Sequence, residues 1–448
     1  MLKKDFIMRT IFKTIVAFIA AGAMCTPSFA ESKTDGSYIL TLKASKEGAI
    51  YNVGDTSEFV LRVVKEGKCV DNIEVSARVS KEGVLPQKFF VEKTKNGEVR
   101  IFESLSEPGF LRCEASVKIP GEDGKEKQIN LTAGAGFEPL RIESSMPKPD
   151  DFDAYWKEEI AHLETVPMNI RLKPVEQADK SVELFDISVD MQQGLLSGYY
   201  ARPKGAGAKS CPAIILPHGA GVRSSRAEPS IGWAKRGFIA LDFNAHGIPN
   251  GMPESFYKKL AAGELKGYFI FGKHNRDESY MRKIFLRAYR ALEAVKAQPE
   301  WDGKNLVAFG TSQGGAQSIF AAGACKDVSL AVIFVAGMCD NTAVKVGRAV
   351  GGGWFVAKNA LPLKIDDAAI EPSRYTDCVN FARNIKCPTI WIIDLADTTC
   401  VPSSQFAAYN AVTSPKEFYT NEEAGHKVPE KCYQIMVDKV LSIVKKNK

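Results

Sequence analysis

Residues 309–315 read FGTSQGG and follow the apolar run Leu306-Val307-Ala308-Phe309. The next residues, AQSIFAAGA, suit a helix. A strand that feeds a helix through a sharp corner needs room on both sides of the corner residue. Gly310 and Gly314, two positions either side of Ser312, supply it, and the serine hydroxyl is left exposed above the sheet. The helix behind it points its first N–H groups at developing negative charge. Glycine and serine are common, so the spacing alone would also fit an ordinary loop. The apolar strand before it and the helix after it make Ser312 a candidate nucleophile.

The surrounding chain supports a mostly parallel sheet. Residues 213–216 and 238–243 are short apolar runs, as expected of strands buried on both faces. Further strand candidates lie at 306–309, 330–335, 389–393 and 417–419, with helical patterns near 231–235 and over 281–297. VELFDISVD and LLSGYYARP read as a hairpin ahead of them. Strands alternating with helices argue for an α/β fold. Before this region, a helix capped by Asp151 or Asp153 carries Phe152, Tyr155, Trp156, Ile160 and Leu163 on one face.

Residues 31 to about 136 have a different character. SYILTLK, EFVLRVV, NIEVSARV, EVRIFE and FLRCEASVKI alternate apolar and polar residues between turn signals such as NVGD, KEG and KNGE. This predicts a small all-β, immunoglobulin-like sandwich over 31–136, followed by the α/β unit over 137–448. No residue cluster in it suggests catalysis, so it reads as a spacer or docking module, or a carbohydrate-binding one. Ahead of both, Lys3, Lys4, Arg9 and Lys13 precede a ten-residue apolar or small run from Ile15 to Met24 and then Ser28-Phe29-Ala30. That order predicts a signal peptide over 1–30 and export. The run falls short of the roughly 20 residues a bilayer requires, and no later segment is long and apolar enough to span one.

Charge and cysteines exclude several functions. The whole chain carries a formal +6, and removing residues 1–30 takes four basic side chains and Asp5, leaving +3. No basic block stands out, so nucleic acid is not an expected partner. Ten cysteines become nine without Cys25; they form no framework, and Cys69 with Cys113 is the one pair considered for a bridge. Zinc-type Cys/His spacing is absent, so no metal and no cofactor is expected.

A serine hydroxyl needs a base to take its proton, and in this architecture the order is Ser, acid, His. Of five histidines, only His426, in NEEAGHKVP, follows Ser312. WIIDLAD offers two acids: Asp394 at the strand end and Asp397 on the loop beyond, where a carboxylate can reach an imidazole. Asp397 is preferred; it would hold the imidazole tautomer and stabilise the imidazolium. The oxyanion donors expected are the backbone N–H of Gln313, directly after the nucleophile, and of Ala220 in the loop PHGAGV. His218 in that loop reads as structural or substrate-facing rather than as a metal ligand. Tyr268, within the aromatic segment 251–275, and Trp354, within the glycine-rich 347–359, are candidate substrate contacts.

DFDAYWKEEIAHL, QPEWDGKNLVAFGTSQGG and above all DTTCVPSSQFAAYN (397–410) resemble stretches of the acetyl xylan esterase and cephalosporin C deacetylase family of α/β-hydrolases, over roughly 137–448. The resemblance implies Ser312, Asp397 and His426 as the triad and acetate esters on sugars, such as acetylated xylan oligosaccharides, as substrates. It departs from the family pattern at Asn244-Ala245-His246-Gly247, where the family carries Arg-Gly-Gln, at Ala220, where an aromatic is typical, and at Lys427, where glutamate is frequent. Many members form closed hexamers; the N-terminal module stands against that assembly, and a homo-oligomer is left open. The rival expectations are an esterase for larger, feruloyl-type acyl groups, a peptidase of the prolyl-oligopeptidase type, and a non-catalytic glycan-binding protein.

Overall fold

The computed structural model describes residues 33–35, 37–121, 125–351, 356, 365–421 and 425–446. The expected leader over 1–30, Trp354 and most of the segment 347–359 lie outside the described residues.

Ten strands come first: β1 (Lys33–Asp35), β2 (Tyr38–Ala44), β3 (Ile50–Tyr51), β4 (Thr56–Lys65), β5 (Lys68–Cys69), β6 (Glu74–Lys81), β7 (Val84–Lys93), β8 (Glu98–Ser104), β9 (Gly109–Pro120) and β10 (Glu126–Phe137). They make two sheets. One runs β1-β2-β4-β5 with β8 also paired to β4, and the other β3-β10-β9-β6-β7. Alternate residues face inward, so Leu40, Leu42, Phe59 and Leu61 of the first sheet share a core with Val75, Val79, Ala115 and Val117 of the second. This is the sandwich that the alternation predicts. Cys69 and Cys113 are free thiols in it, not a bridge.

Helix α1 (Phe152–Glu164) then leads to a nine-stranded sheet. Its strands are β11 (Arg171–Val175), β12 (Val182–Asp190), β13 (Leu195–Pro203), β14 (Cys211–Pro217), β15 (Ile239–Phe243), β16 (Trp301–Thr311), β17 (Leu330–Phe334), β18 (Thr389–Asp394) and β19 (Lys416–Asn421). In space they run β11-β12-β13-β15-β14-β16-β17-β18-β19; the β11–β12, β12–β13 and β13–β15 pairs are antiparallel, and the pairs from β15 to β19 are parallel. The helices between and after them are α2 (Ala227–Ala234), α3 (Glu254–Ala262), α4 (Tyr280–Lys296), α5 (Gln313–Ala324), α6 (Asp367–Ser373), α7 (Cys378–Ala382), α8 (Pro402–Ala411) and α9 (Glu430–Lys446).

The period of two sorts the central strands between two cores. Ala213, Ile215, Leu306, Ala308, Ile333 and Trp391 pack toward the face that also holds α1, α4, α5, α7 and α8. Ile214, Val307, Phe309, Val332, Phe334, Ile390 and Ile392 pack toward Trp233 of α2 and Met436, Val437, Val440 and Val444 of α9. Both faces are therefore dry, as the apolar runs require. This is an α/β-hydrolase arrangement preceded by a β-sandwich. No helix among the described residues is long and apolar enough to cross a membrane.

Candidate active site

Ser312 occupies the corner between β16 and α5 with φ 60° and ψ −121°, a conformation a non-glycine residue adopts only when its surroundings impose it. A Cβ on Gly310 would stand 2.2 Å from the Gly314 carbonyl oxygen, and one on Gly314 would stand 2.2 Å from that of Pro217. The two glycines are thus demanded by close backbone approach.

The imidazole of His426 joins the other two candidates. Its Nε2 lies 2.8 Å from Ser312 Oγ and its Nδ1 2.8 Å from Asp397 Oδ2. Asp397 sits on the loop between β18 and α8. Its Oδ1 accepts the backbone N–H groups of Thr399 (2.7 Å) and Cys400 (2.9 Å), which fixes the carboxylate with one oxygen free for the histidine. The Asp397 side chain is fully buried, whereas that of His426 is 26% exposed, so the imidazole, like the half-buried Ser312, reaches solvent. Asp394, the other acid considered, is buried at the end of β18. Burial and the neighbouring Asp397 charge push its carboxyl well above the usual carboxylate range.

The N–H groups of Gln313 and Ala220 have no acceptor among the described residues. Gln313 opens α5, so its N–H is one of the four that a helix cannot satisfy internally. The Arg223 guanidinium donates to the carbonyls of Ala220 (2.6 Å) and Gly219 (3.2 Å). In a trans peptide, holding the Gly219 carbonyl on one side turns the Ala220 N–H to the other.

Two expected substrate contacts sit deeper than the sequence suggested. Tyr268 is only 5% exposed, and its ring packs edge-on against His246 at 4.5 Å. Its hydroxyl donates to Gln313 Oε1 (2.7 Å) and accepts from the Gly221 N–H (3.2 Å). It therefore ties the loop after β14 to the start of α5. His218 is 7% exposed with Nε2 2.5 Å from Asp242 Oδ1, so its imidazole is committed to that buried carboxylate. Three further neighbours have no chemical role legible in the sequence, although Asn244 and His246 fall in the stretch that departs from the family pattern. His246 supports Tyr268, with Nδ1 2.9 Å from the Tyr280 hydroxyl. Asn244 wires its loop through Ser197, Ile248 and Asn250. Cys400 is buried with its N–H on Asp397 Oδ1, and burial together with the Asp397 charge pushes its thiol up, which keeps it protonated.

Asp397, Cys400 and His426 also place potential ligand atoms within 4.8 Å of one another. Both His426 nitrogens and both Asp397 oxygens already have hydrogen-bond partners in the site.

Comparison with known proteins finds relatives of this chain. The curated acetyl esterase Axe7A of Xylanibacter ruminicola is 28% identical over 420 residues, covering 92% of this chain and 91% of its own. The acetyl xylan esterase from Paenibacillus sp. R4 superposes with a TM-score of 0.58 at 24% identity, over 68% of this chain and 98% of that one. Acetyl xylan esterase 1 from Thermoanaerobacterium sp. JW/SL YS485 gives 0.57 at 23%, over 68% and 97%. The two solved structures share the fold of about two thirds of this chain. Residues 140–442, more than half of the sequence, match the acetyl xylan esterase (AXE1) family, and the chain belongs to that family of serine carboxylic ester hydrolases.

Proposed function

We propose that this protein is an exported esterase that removes acetyl groups from carbohydrate, with acetylated xylan or related oligosaccharides as the substrate class. The observation that carries the reading is the His426 imidazole, 2.8 Å from a serine hydroxyl on one side and 2.8 Å from a buried carboxylate on the other. His426 takes the Ser312 proton as the hydroxyl attacks the acetyl carbonyl. Asp397 holds the imidazole tautomer and stabilises the imidazolium. The N–H groups of Gln313 and Ala220 receive the oxyanion, a contribution of about 3 kcal/mol per donor. His426 then protonates the departing sugar oxygen, and water activated by the same imidazole releases acetate from Ser312. This sequence needs no metal or organic cofactor.

Family membership and the name of the Xylanibacter relative support acetate as the acyl group, and the leader-like residues 1–30 support export. We read residues 31–136 and 137–448 as the two domains of the mature chain. The experiment is hydrolysis of 4-nitrophenyl acetate by Ser312→Ala beside the native enzyme; activity that persists in the variant would remove the basis of the proposal. Acetate release from a panel of acetylated glycans then names the polysaccharide, and rates on longer acyl esters decide against or for a feruloyl-type preference.

A further inference from the structure

The turn between β6 and β7 reaches from the sandwich into the segment that carries Asp397. Glu82 at its tip is 5% exposed. Its Oε1 accepts the backbone N–H of Ser403 at 2.8 Å, and its Oε2 accepts the Ser403 hydroxyl at 2.5 Å. Ser403 is in the first turn of α8, which begins at Pro402 and has no side-chain cap of its own. A carboxylate at that position satisfies an orphan N–H and meets the positive end of the helix. The charged groups that face Glu82 are the guanidiniums of Arg112 and Arg348.

We propose that Glu82 is a positioning residue for the reaction, capping α8 from the N-terminal sandwich and thereby fixing the loop that presents Asp397 to His426. The inference rests on the triad reading given above. Only four residues separate Asp397 from the helix start at Pro402, and Cys400 and Val401 among them are anchored as well: the Cys400 N–H on Asp397 and its carbonyl on Gln405 Nε2 at 2.6 Å, Val401 in a buried cluster with Val84 and Ala349. The sandwich meets the same segment twice more. A Cβ on Gly134 of β10 would lie 2.1 Å from the Leu395 carbonyl oxygen, and Phe110 of β9 stacks on Phe406 of α8 at 5.5 Å.

The backbone supplies an independent observation. Glu82 and Gly83 form a two-residue turn with φ 53° and 89°, closed by the Lys81–Val84 pair. Such turns favour Asn, Asp or Gly at the first position, and glutamate there is strained. The same Glu-Gly turn recurs at Glu66 and Gly67, with φ 49° and 79°, but Glu66 is exposed. Turn geometry therefore does not require a buried carboxylate; the end of α8 does.

The test uses the full chain with Glu82→Ala, Glu82→Gln and Ser403→Ala, 4-nitrophenyl acetate as substrate, and an organophosphonate that titrates reactive Ser312. Glu82→Ala is expected to lower kcat per titrated site by roughly ten- to a hundredfold, the scale of a small misplacement of a catalytic group. KM should stay within about twofold, because the substrate is not touched. Glu82→Gln, whose amide oxygen still accepts from Ser403, should recover most of the loss. A Glu82→Ala enzyme with native kcat per titrated site overturns the inference. If that variant does not fold, Ser403→Ala decides: a fall in kcat at constant KM supports it and a native kcat overturns it. An active Ser312→Ala enzyme would instead bring down the triad reading, so the two failures are distinguishable.

Discussion

At the scale of single residues, Ser312 was legible because sterics leave few ways to place a hydroxyl between a strand and a helix. Gly310 and Gly314 are forced by carbonyl oxygens 2.2 Å from where their Cβ atoms would lie. Gly314→Ala should therefore destabilise by about 1–3 kcal/mol, the cost of overpacking, measured by urea unfolding, with a parallel loss of esterase activity. The two acids at the end of β18 differ by environment. Burial and the Asp397 charge push the Asp394 carboxyl well above the usual carboxylate range, toward its neutral form, and Asp394→Asn supplies a neutral group of the same shape. Its kcat should stay within about threefold of native. Asp397→Asn should cost about 10⁴-fold in kcat, since the amide presents the wrong partner to the imidazole; steady-state kinetics on 4-nitrophenyl acetate separates the two. Cys400 and His246 were not legible, because a lone cysteine or histidine carries no periodicity that says what it will face.

At the scale of elements, the alternating strands and the helix over Tyr280–Lys296 were readable from hydrophobic period. The strands β7 and β10 were not, for different reasons. In β7, Leu85, Phe89 and Val91 are more than 60% exposed on an edge strand, so apolar residues do not mark an inward face. In β10, the sequence LTAGAGF resembles a loop, but its small residues exist because other chain segments press on it: Gly134 against the Leu395 carbonyl and Gly136 against the Phe110 ring. Gly134→Ala should destabilise by about 1–3 kcal/mol in urea unfolding, although an isolated strand would gain from alanine. The glycines of the loop after β14 announce a close backbone approach, but nothing in its sequence announces that Arg223 holds its carbonyls. Arg223→Met keeps the stem and removes the donors. It should lower kcat by roughly tenfold with little change in KM for a small acetyl ester.

At the scale of the whole molecule, the sandwich and the α/β unit share one hydrophobic core, with Phe110 against Phe406, so the N-terminal module is built in rather than tethered. Stability should also carry a signature of the buried His246. Burial, then the Arg287 charge, lowers it to about 4. Between that value and the unfolded one of about 6.5 the folded chain binds fewer protons than the unfolded chain. Its contribution is therefore full above about pH 6.5 and is lost as pH falls through about 4, in total about 3 kcal/mol. Denaturant unfolding at pH 7 and at acid pH should show that slope, and His246→Gln should flatten it. The sequence by itself determined the strand–corner–helix unit, the parallel sheet and the chain order of the serine, the acid and the histidine, because these follow from local sterics and from hydrophobic period. Only the tertiary structure decided that Tyr268 and His218 turn inward, that Arg223 braces a loop, and that a turn of the sandwich reaches the end of α8. Apart from Arg223, which reaches carbonyls only three and four positions back, those contacts join residues dozens to hundreds of positions apart, and no local pattern encodes a meeting that depends on how finished layers pack.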